Sequence, residues 1–288
     1  MSGDDSGGEF PLKIDTHQHF WVYNAREYGW MGPGMDTLKR DYLPPDLALL
    51  LRSRSIDDTV SVQARQCLAE SFWLLELADQ YPFITGVVGW VDLRSPSVEE
   101  QLTKLATHRK FRGVRHVVHD EPDDQFMMRA DFIRGIGKLV KFRLAYDLLL
   151  YPRHLPVAWE LVKRFPDQPF VVDHIAKPLI KEHKLAPWDR HIRGLAAFEN
   201  VYCKISGMVT EADWNRWKPA DFTPYLDIIF ESFGTKRIMV GSDWPVCTLA
   251  ASYEEVMQIP TDYMQQLSRD EKADIWSENA KRFYGIRF

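Results

Sequence analysis

Residues 83–117 read FITGVVGWVDLRSPSVEEQLTKLATHRKFRGVRHV. Two apolar runs, at 83–91 and 111–117, flank a segment at 97–108 whose apolar residues recur with helical spacing. Short apolar runs are typical of buried strands, whereas a helix buries every third or fourth residue. The stretch therefore predicts a strand, a helix and a second strand, which is the repeating unit of a parallel sheet.

The same unit recurs along the chain. Six more runs predict strands, at 12–17, 59–64, 143–150, 169–174, 200–206 and 237–244. Further helices are predicted at 67–81, 126–141, 155–165 and 268–285, and Ser268 with Glu271 forms a capping-box pattern at the start of the last one. Eight strands with helical or loop segments between them predict an α/β fold of the (β/α)8 TIM-barrel type.

Domain organisation follows from the same survey. We expect a disordered tail at residues 1–10, which are rich in Gly, Ser and Asp, and a single barrel domain at residues 11–288. Irregular stretches at 21–45 and 207–221 predict active-site loops. No G-x-G-x-x-G or G-x-x-x-x-G-K-[ST] loop follows an early strand, which argues against a nucleotide-binding open sheet.

Composition and charge point to a small-molecule partner. The formal net charge of the 288 residues is -5, and no Lys/Arg run predicts binding to nucleic acid. The N-terminus lacks a signal-peptide pattern, and no apolar run approaches the ~18 residues of a membrane span. Cys67, Cys203 and Cys247 fit neither a disulfide framework nor a C-x-x-C motif. We therefore expect a cytoplasmic protein with no nucleic-acid or membrane partner.

Polar residues concentrate where the predicted strands end. In a (β/α)8 barrel the reactive groups lie at the C-terminal ends of the strands. The residues at those ends are Asp15, His17, His19, Arg115, His116, Asp147, Asp173, His174, Lys204, Ser206 and Asp243. Side chains alternate along a strand, so His17 and His19 point to the same face and can reach one ligand.

Each of these residues also has a structural interpretation when it is taken alone. The two histidines of the first strand are equally compatible with hydrogen-bonded structural roles, and Asp243 in GSDWP with a turn residue. The combination favours a site, because His174 ends the sixth strand and Asp243 ends the eighth. Convergent imidazoles and a carboxylate can bind a metal, or polarise a carbonyl while the carboxylate deprotonates water.

Five ordered motifs carry a family resemblance. They are DTHQHFW (15–21), GVRH (113–116), VVDHIAKP (171–178), VYCKISGM (201–208) and GSDWPV (241–246). Together they resemble the amidohydrolase superfamily, in the branch of the lactonases for L-fuconolactone, L-rhamnono-γ-lactone and 2-pyrone-4,6-dicarboxylate. The runs GVRHVVHDEPDD (113–124) and DLLLYPRHL (147–155) look closest to the sugar-lactone enzymes, especially the L-fuconolactone enzymes.

The resemblance implies hydrolytic opening of a sugar lactone to an aldonic acid. Asp243 would be the general base toward water, and His17, His19 and His174 would surround the carbonyl. Binuclear members of the superfamily carry a bridging Lys after strand four and a His after strand five, where this chain has Arg115-His116 and Asp147. The resemblance thus favours one Zn²⁺ held by the three histidines and Asp243, or a reaction without metal, and both alternatives stay open.

A second set of residues is predicted to bind the substrate. It comprises Arg115, His116, Asp147, Tyr151, His154, Trp21, Trp30 and Trp244. The polar members, with His119 and Arg153 nearby, can pair with sugar hydroxyls, and the tryptophans can form an apolar wall under a ring. Arg115 is equally compatible with pairing to Asp92 or Asp147. Lys204 is expected to order carboxylates at the strand ends, and Cys203 and Cys247 to have no nucleophilic role.

Two other functions are compatible with these motifs. One is a Zn-dependent decarboxylase of the same superfamily, which would release carbon dioxide where a lactonase produces a carboxylate. The other is a catalytically silent barrel that binds a sugar acid, which turnover of any lactone would exclude.

Overall fold

A computed structural model describes residues 12–287 of the chain. Eight strands form one sheet in the order β1 to β8. They are β1 (Ile14–Gln18), β2 (Asp58–Val62), β3 (Ile84–Gly89), β4 (Phe111–His116), β5 (Ala145–Leu148), β6 (Phe170–Val172), β7 (Val201–Ile205) and β8 (Ile238–Val240). The α-helices are α1 (Pro44–Ser53), α2 (Leu68–Gln80), α3 (Val98–Ala106), α4 (Ala130–Leu139), α5 (Leu155–Arg164), α6 (Trp188–Ala196), α7 (Pro219–Phe233), α8 (Tyr253–Tyr263), α9 (Arg269–Ala273) and α10 (Asn279–Tyr284).

The sheet curls into a barrel. Every pair of neighbouring strands from β1 to β8 is parallel. The first and last strands then meet: the Thr16 hydroxyl donates to the Val240 carbonyl at 2.8 Å, and the Asp243 amide donates to the His17 carbonyl at 2.8 Å. The C-terminal ends of all eight strands therefore surround one opening.

The barrel is filled and plugged by apolar side chains. A large buried cluster packs the helices on the outer faces of the strands. A smaller cluster joins strand residues to the C-terminal segment and contains Ile14, Val60, Val62, Val88, Ala145, Val171, Met239, Ala280, Phe283, Tyr284 and Ile286. Alternation along the strands assigns these strand residues to the barrel interior. The Asn279 amide donates to the Thr235 and Ile238 carbonyls, so α10 lies beneath the N-terminal ends of the strands.

The TIM-barrel prediction is confirmed, with a strand in each of the eight predicted segments. The Ser268–Glu271 capping box is also confirmed. The predicted final helix is interrupted, however, by a π-helical turn at Asp274–Glu278 between α9 and α10. The predicted irregular stretch at 207–221 already contains the start of α7, because Pro219 occupies the first helical turn, where the missing amide hydrogen is tolerated.

Two predictions about the chain as a whole stay predictions. The disordered tail at residues 1–10 lies outside the described residues, and nothing in the structure tests the assignment of residues 11–288 to one domain. Within residues 12–287, every helix is too short or too polar to cross a membrane.

Candidate active site at the C-terminal mouth of the barrel

Three imidazoles converge on one carboxylate at the mouth of the barrel. His17 lies on β1 and His19 directly follows it, His174 follows β6, and Asp243 follows β8. The Oδ1 atom of Asp243 lies 3.3 Å from His19 Nε2 and 3.9 Å from the Nε2 atoms of both His17 and His174. All four residues are at most 4% exposed. The fold thus brings the predicted set of catalytic residues together.

A left-handed turn places His174. The four residues from His174 to Lys177 have φ values of 54°, 49°, 59° and 48°, and none of them is glycine. Such a conformation costs roughly 1–2 kcal/mol per residue and is maintained only where the surroundings impose it. The Trp188 indole donates to the Ile175 carbonyl at 2.7 Å, and both Ile175 and Ala176 are fully buried. The turn directs the side chains of His174 and Lys177 into the same cavity.

Two glycines permit the close approach of the strands that carry the site. An added Cβ at Gly241 would lie 2.5 Å from the Cβ of His17. At Gly207, where φ is +57°, it would lie 2.5 Å from His174 Nδ1 and 3.1 Å from Asp243 Oδ2. Glycine is therefore required at both positions for the side chains of His17, His174 and Asp243, from β1 and the ends of β6 and β8, to come this close.

The ionisation of the site is set by burial and by these contacts. Burial raises the pKa of Asp243, but His174, the hydrogen bond to His19 and the charge of His17 together hold that pKa below its usual range. Burial lowers the pKa of His174 to about 4, against the opposing attraction of Asp243 and Asp173. At neutral pH the site therefore holds a carboxylate base beside a neutral His174 imidazole.

The donor atoms fit a divalent cation. The Nδ1 atom of His19 lies 2.8 Å from the Val62 carbonyl, so this nitrogen must carry the proton. In a neutral ring, Nε2 then carries a lone pair, which faces the Asp243 carboxylate at 3.3 Å. Both groups are acceptors, so this close approach needs a proton or a cation between them. The atoms that could ligate a metal form two triads, each within 4.8 Å: His17, His19 and Asp243, and His17, Asp173 and His174.

A buried ionic network lies beneath the histidines. The Lys204 ammonium lies 2.6 Å from Asp147 Oδ2, 3.1 Å from Asp173 Oδ1 and 3.2 Å from His17 Nδ1. The Arg115 guanidinium lies 3.3 Å from Asp173 Oδ2 and 3.2 Å from His17 Nε2. The expectation that Lys204 orders carboxylates is confirmed, whereas Arg115 pairs with Asp173 and not with Asp92 or Asp147.

A cavity of about 370 Å³ opens above this cluster. His19, His174 and Asp243 form part of its lining, as do four of the predicted substrate-binding residues: Trp21, Trp30, Arg115 and Tyr151. The Trp21 and Tyr42 backbones bond to each other and hold the base of the loop that carries Trp30, which is 38% exposed. The prediction of an active-site loop at 21–45 is consistent with this position.

The other four predicted substrate-binding residues do not line this cavity. Asp147 is fully buried inside the barrel, where Lys204 and Tyr284 satisfy its oxygens. His116 neighbours Arg115 on β4 and therefore points to the opposite face, where its ring stacks on Phe126. For both residues the position at a strand end was predicted correctly, and the contact with substrate was not supported.

His154 and Trp244 also lie away from the cavity, for reasons of local packing. His154 is fully buried, with its Nε2 atom 3.1 Å from Asp124 Oδ1 and its Nδ1 atom 3.1 Å from the Tyr151 amide. Trp244 is 3% exposed and packs edge-on against Phe20 and Tyr42. Its neighbour Asp243 enters the site instead, because the chain turns there with φ of 58°.

The cavity lining also contains residues that were absent from the predicted set, among them Lys177, Glu211 and Trp214. Lys177 and Glu211 form an ion pair of 2.7 Å, and Trp214 lies near them in the lining. Burial lowers the pKa of Lys177, but Glu211 and Asp243 outweigh it and raise that pKa overall. The available signals were the position of Lys177 in the VVDHIAKP motif and of the other two in the predicted loop at 207–221. His119, whose ring stacks on Tyr151 at 4.7 Å, also lines the cavity.

The H-x-H pair, a histidine after the sixth strand and an aspartate after the eighth place three imidazoles and a carboxylate at the mouth of a (β/α)8 barrel, where barrel enzymes carry their active sites. Comparison with known proteins agrees: the Amidohydrolase family model matches residues 14–286. The chain belongs to the amidohydrolase family.

Individual relatives are similar over nearly the whole chain. The chain is 41% identical to an L-fucono-1,5-lactonase of Burkholderia multivorans and 35% identical to one of Burkholderia ambifaria, and each match covers 96% of both proteins. A crystal structure of an amidohydrolase from Burkholderia multivorans with bound zinc superposes with a TM-score of 0.91 at 41% identity. That match covers 96% of this chain and 100% of the other.

Proposed function

We propose that this protein is a carboxylic ester hydrolase that opens a sugar lactone to its aldonic acid. The proposal rests on one observation. Three imidazoles converge on the Asp243 carboxylate, at the floor of a cavity with aromatic and polar walls. The chain is 41% and 35% identical to two proteins that are named as L-fucono-1,5-lactonases, and this similarity supports the substrate class. We further propose that residues 11–288 act as a single catalytic domain in the cytoplasm.

Asp243 acts as the general base. Its carboxylate is ionised at neutral pH and lies at the cavity floor, so a water held between it and the lactone carbonyl can give up a proton as it attacks. The tetrahedral intermediate collapses when the ring C–O bond breaks. The protonated Asp243 then returns its proton to the departing oxygen, which becomes a hydroxyl group of the aldonate.

The histidines stabilise the oxyanion that forms during attack. His174 can donate an N–H group directly to the charge that develops on the carbonyl oxygen, whereas His19, whose proton is held at Nδ1 by the Val62 carbonyl, would polarise the carbonyl only through a bound cation. His174 is neutral at pH 7 because burial lowers its pKa to about 4. An ester carbonyl is more electrophilic than an amide carbonyl and needs less activation. Hydrogen bonds from the protein can therefore supply a larger share of the activation for an ester than for an amide.

One divalent cation fits this site without being required by it. When bound by His17, His19 and Asp243, with His174 close by, it would act as a Lewis acid toward the carbonyl oxygen. The Arg115 guanidinium already donates to His17 Nε2 at 3.2 Å, so ligation by that nitrogen would replace an existing hydrogen bond. Arg115 also occupies the strand that carries the bridging lysine in binuclear relatives, which argues for at most one metal per chain.

The cavity walls fit a polyhydroxylated ring. Trp21, Trp30 and Trp214 provide apolar faces, on which the C–H groups of a sugar can pack. Tyr151 and the Lys177–Glu211 pair offer donors and acceptors to hydroxyl groups. Arg115 and Lys177 each already face a protein carboxylate, so two free cations for a pyrone dicarboxylate are missing from the described lining.

A pH-indicator screen tests this proposal, since ring opening releases a proton. The panel contains five- and six-carbon aldonolactones including L-fuconolactone, 2-pyrone-4,6-dicarboxylate, and an aromatic carboxylate assayed for carbon dioxide. We expect turnover of the sugar lactones, with L-fuconolactone among the best, and rates lowered about 10²–10⁴-fold in Asp243→Asn. Preference for the pyrone dicarboxylate, release of carbon dioxide, or no turnover of any lactone would each overturn the proposal.

A further inference from the structure

The loop that carries Trp30 has a glycine-rich tip, residues 27–34, with the sequence EYGWMGPG. Apart from their own chain neighbours, no described atom lies within 4 Å of where a Cβ would stand at Gly29, Gly32 or Gly34. Glycine also leaves the backbone more conformational freedom than any other residue. The position of Trp30 over the cavity therefore depends on a few contacts made by the rest of the tip.

One cation joins the tip to the segment that follows β2. The Nη1 atom of Arg65 lies 2.7 Å from Oε2 of Glu27, the first residue of the tip. The guanidinium also lies over the ring of Tyr28, 5.4 Å from its centroid. A single side chain outside the loop thus makes an ion pair and a cation–π contact with two consecutive residues of the tip.

The backbone that carries Arg65 is itself held in place. Oε2 of Glu70, a fully buried carboxylate in the first turn of α2, accepts the amides of Ala64 and Arg65 at 3.0 Å and 2.8 Å. Such bonds to a carboxylate are stronger than those between neutral groups. Ala64 lines the same cavity as Trp30. Arg65 therefore connects a firmly held wall of the cavity to a loosely packed one.

Aromatic contacts relate the position of Tyr28 to that of Trp30. Tyr28 is 2% exposed and packs on Trp21, with ring centroids 5.8 Å apart. Trp21 in turn meets Trp30 edge to face at 6.0 Å, and both tryptophans line the cavity. Paired aromatic rings prefer a narrow range of geometries. Displacement of Tyr28 would therefore change the wall on which a sugar ring packs.

We propose that Arg65 is a positioning residue that holds Trp30 over the cavity through Glu27 and Tyr28. The ion pair is partly exposed and contributes modestly, and the contact with the Tyr28 ring adds to it. In the proposed function Trp30 packs on the sugar ring, away from the reacting bond, so it stabilises the bound substrate and the transition state alike. Loss of such binding raises KM and leaves kcat unchanged. The inference rests on the proposed function for this kinetic consequence.

The kinetic test uses Arg65→Met with Lys39→Met as its control. Lys39 pairs with Asp36 at 2.7 Å, so the control variant removes an ion pair whose two partners both lie in the stretch at 21–45. We expect KM for the best lactone to rise about fivefold in Arg65→Met, with kcat changed less than about twofold, and both constants to be unchanged in Lys39→Met. An unchanged KM in Arg65→Met, or an equal rise in the two variants, would overturn the proposal.

A double-mutant cycle shows whether the effect passes through Trp30. In a Trp30→Ala background the wall is already lost, so Arg65→Met should raise KM no further. If Arg65→Met raises KM by the same factor in both backgrounds, Arg65 acts by another route and the proposal is wrong. If Arg65→Met fails to fold, Glu27→Gln removes the same ion pair from its more exposed side and must raise KM, and an unchanged KM then refutes the proposal.

The position of the tip is also measured without any substrate. Chymotrypsin cleaves after aromatic residues, and cleavage of a folded protein follows the population in which the segment is open. We expect cleavage after Tyr28 and Trp30, located by mass spectrometry, to be about fivefold faster in Arg65→Met than in the wild type and unchanged in Lys39→Met. Equal rates in Arg65→Met and the wild type would overturn the inference. A wild-type protein that turns over no lactone would sink the proposed function, whereas the cleavage rates would still decide the role of Arg65.

Discussion

Substitution of Gly207 by alanine should disable the site while leaving the barrel folded. Gly207 follows β7 and has φ of +57°, in the left-handed region where a side chain is strained. An added Cβ would lie 2.5 Å from Nδ1 and 2.8 Å from Cγ of His174. His174 comes from the left-handed turn after β6, whose fully buried residues Ile175 and Ala176 restrict the movement of its backbone.

The size of the effect follows from these distances. Contacts of a Cβ below 3.0 Å are essentially never found, and ordinary contact begins at 3.4 Å, so the imidazole must move by about 0.5 to 0.9 Å. Its Nε2 atom lies 3.9 Å from Asp243 Oδ1, and Asp243 Oδ2 is itself only 3.1 Å from the new methyl group. A misplacement of about 1 Å in an active site can lower the rate on the order of 100-fold. Backbone strain should lower the free energy of unfolding by roughly 1–2 kcal/mol.

Gly234→Ala separates strain from displacement. Gly234 ends α7 with φ of +61°, and nothing lies within 4 Å of the position of its Cβ. This variant should lose stability to urea through backbone strain alone, by roughly 1–2 kcal/mol, yet keep the kcat/KM of the wild type. Initial rates on the best lactone and urea denaturation are measured for both variants. Equal loss of activity in the two variants, or full activity in Gly207→Ala, would refute the reasoning.

Three further results are expected. Asp243→Asn should fold but lose about 10²–10⁴-fold in kcat, because an amide cannot accept the proton of water, and rates near those of the wild type would remove Asp243 from the mechanism. Acid should destabilise the protein through His174: an unfolded histidine titrates near 6.5 and this one near 4, so the unfolded chain binds more protons between those values. Stability should thus fall by on the order of 3 kcal/mol as pH drops through that window, and identical pH dependence of urea unfolding in His174→Asn would contradict the assignment. Exhaustive chelation should remove at most one metal equivalent per chain by elemental analysis, and two equivalents that are both needed for activity would contradict the single-site geometry.

Local patterns were sufficient to predict the barrel. Alternation and apolar runs mark strands wherever they occur, and the run at 83–117 contains a complete strand-helix-strand unit. The Ser268–Glu271 cap is likewise a contact between near neighbours, and it forms as predicted. The π-helical turn at Asp274–Glu278 was missed, because it arises where this segment packs beneath the barrel and not from its own periodicity.

The face to which a side chain points was harder to predict than its position. Arg115 and His116 are neighbours on β4, but only Arg115 reaches the interior, and the printed sequence does not show which of the two faces inward. Trp244 and Asp243 differ in the same way, because the backbone of Asp243 takes a left-handed turn with φ of 58°. One residue of each pair therefore lines the cavity and the other does not.

The sequence by itself determined the βα repeat, the H-x-H pair on β1 and the strand ends at which His174 and Asp243 lie, since strand order and period place these residues at one mouth. Only the tertiary structure decided which atoms meet there. The Nε2 atoms of three histidines face Asp243 Oδ1, and Lys204 lies within 3.2 Å of groups from β1, β5 and the end of β6. Asp147 and Tyr284 are 137 residues apart and touch because α10 returns beneath the barrel. Contacts of that kind depend on how the strands close and the helices pack, and no local pattern in the chain encodes them.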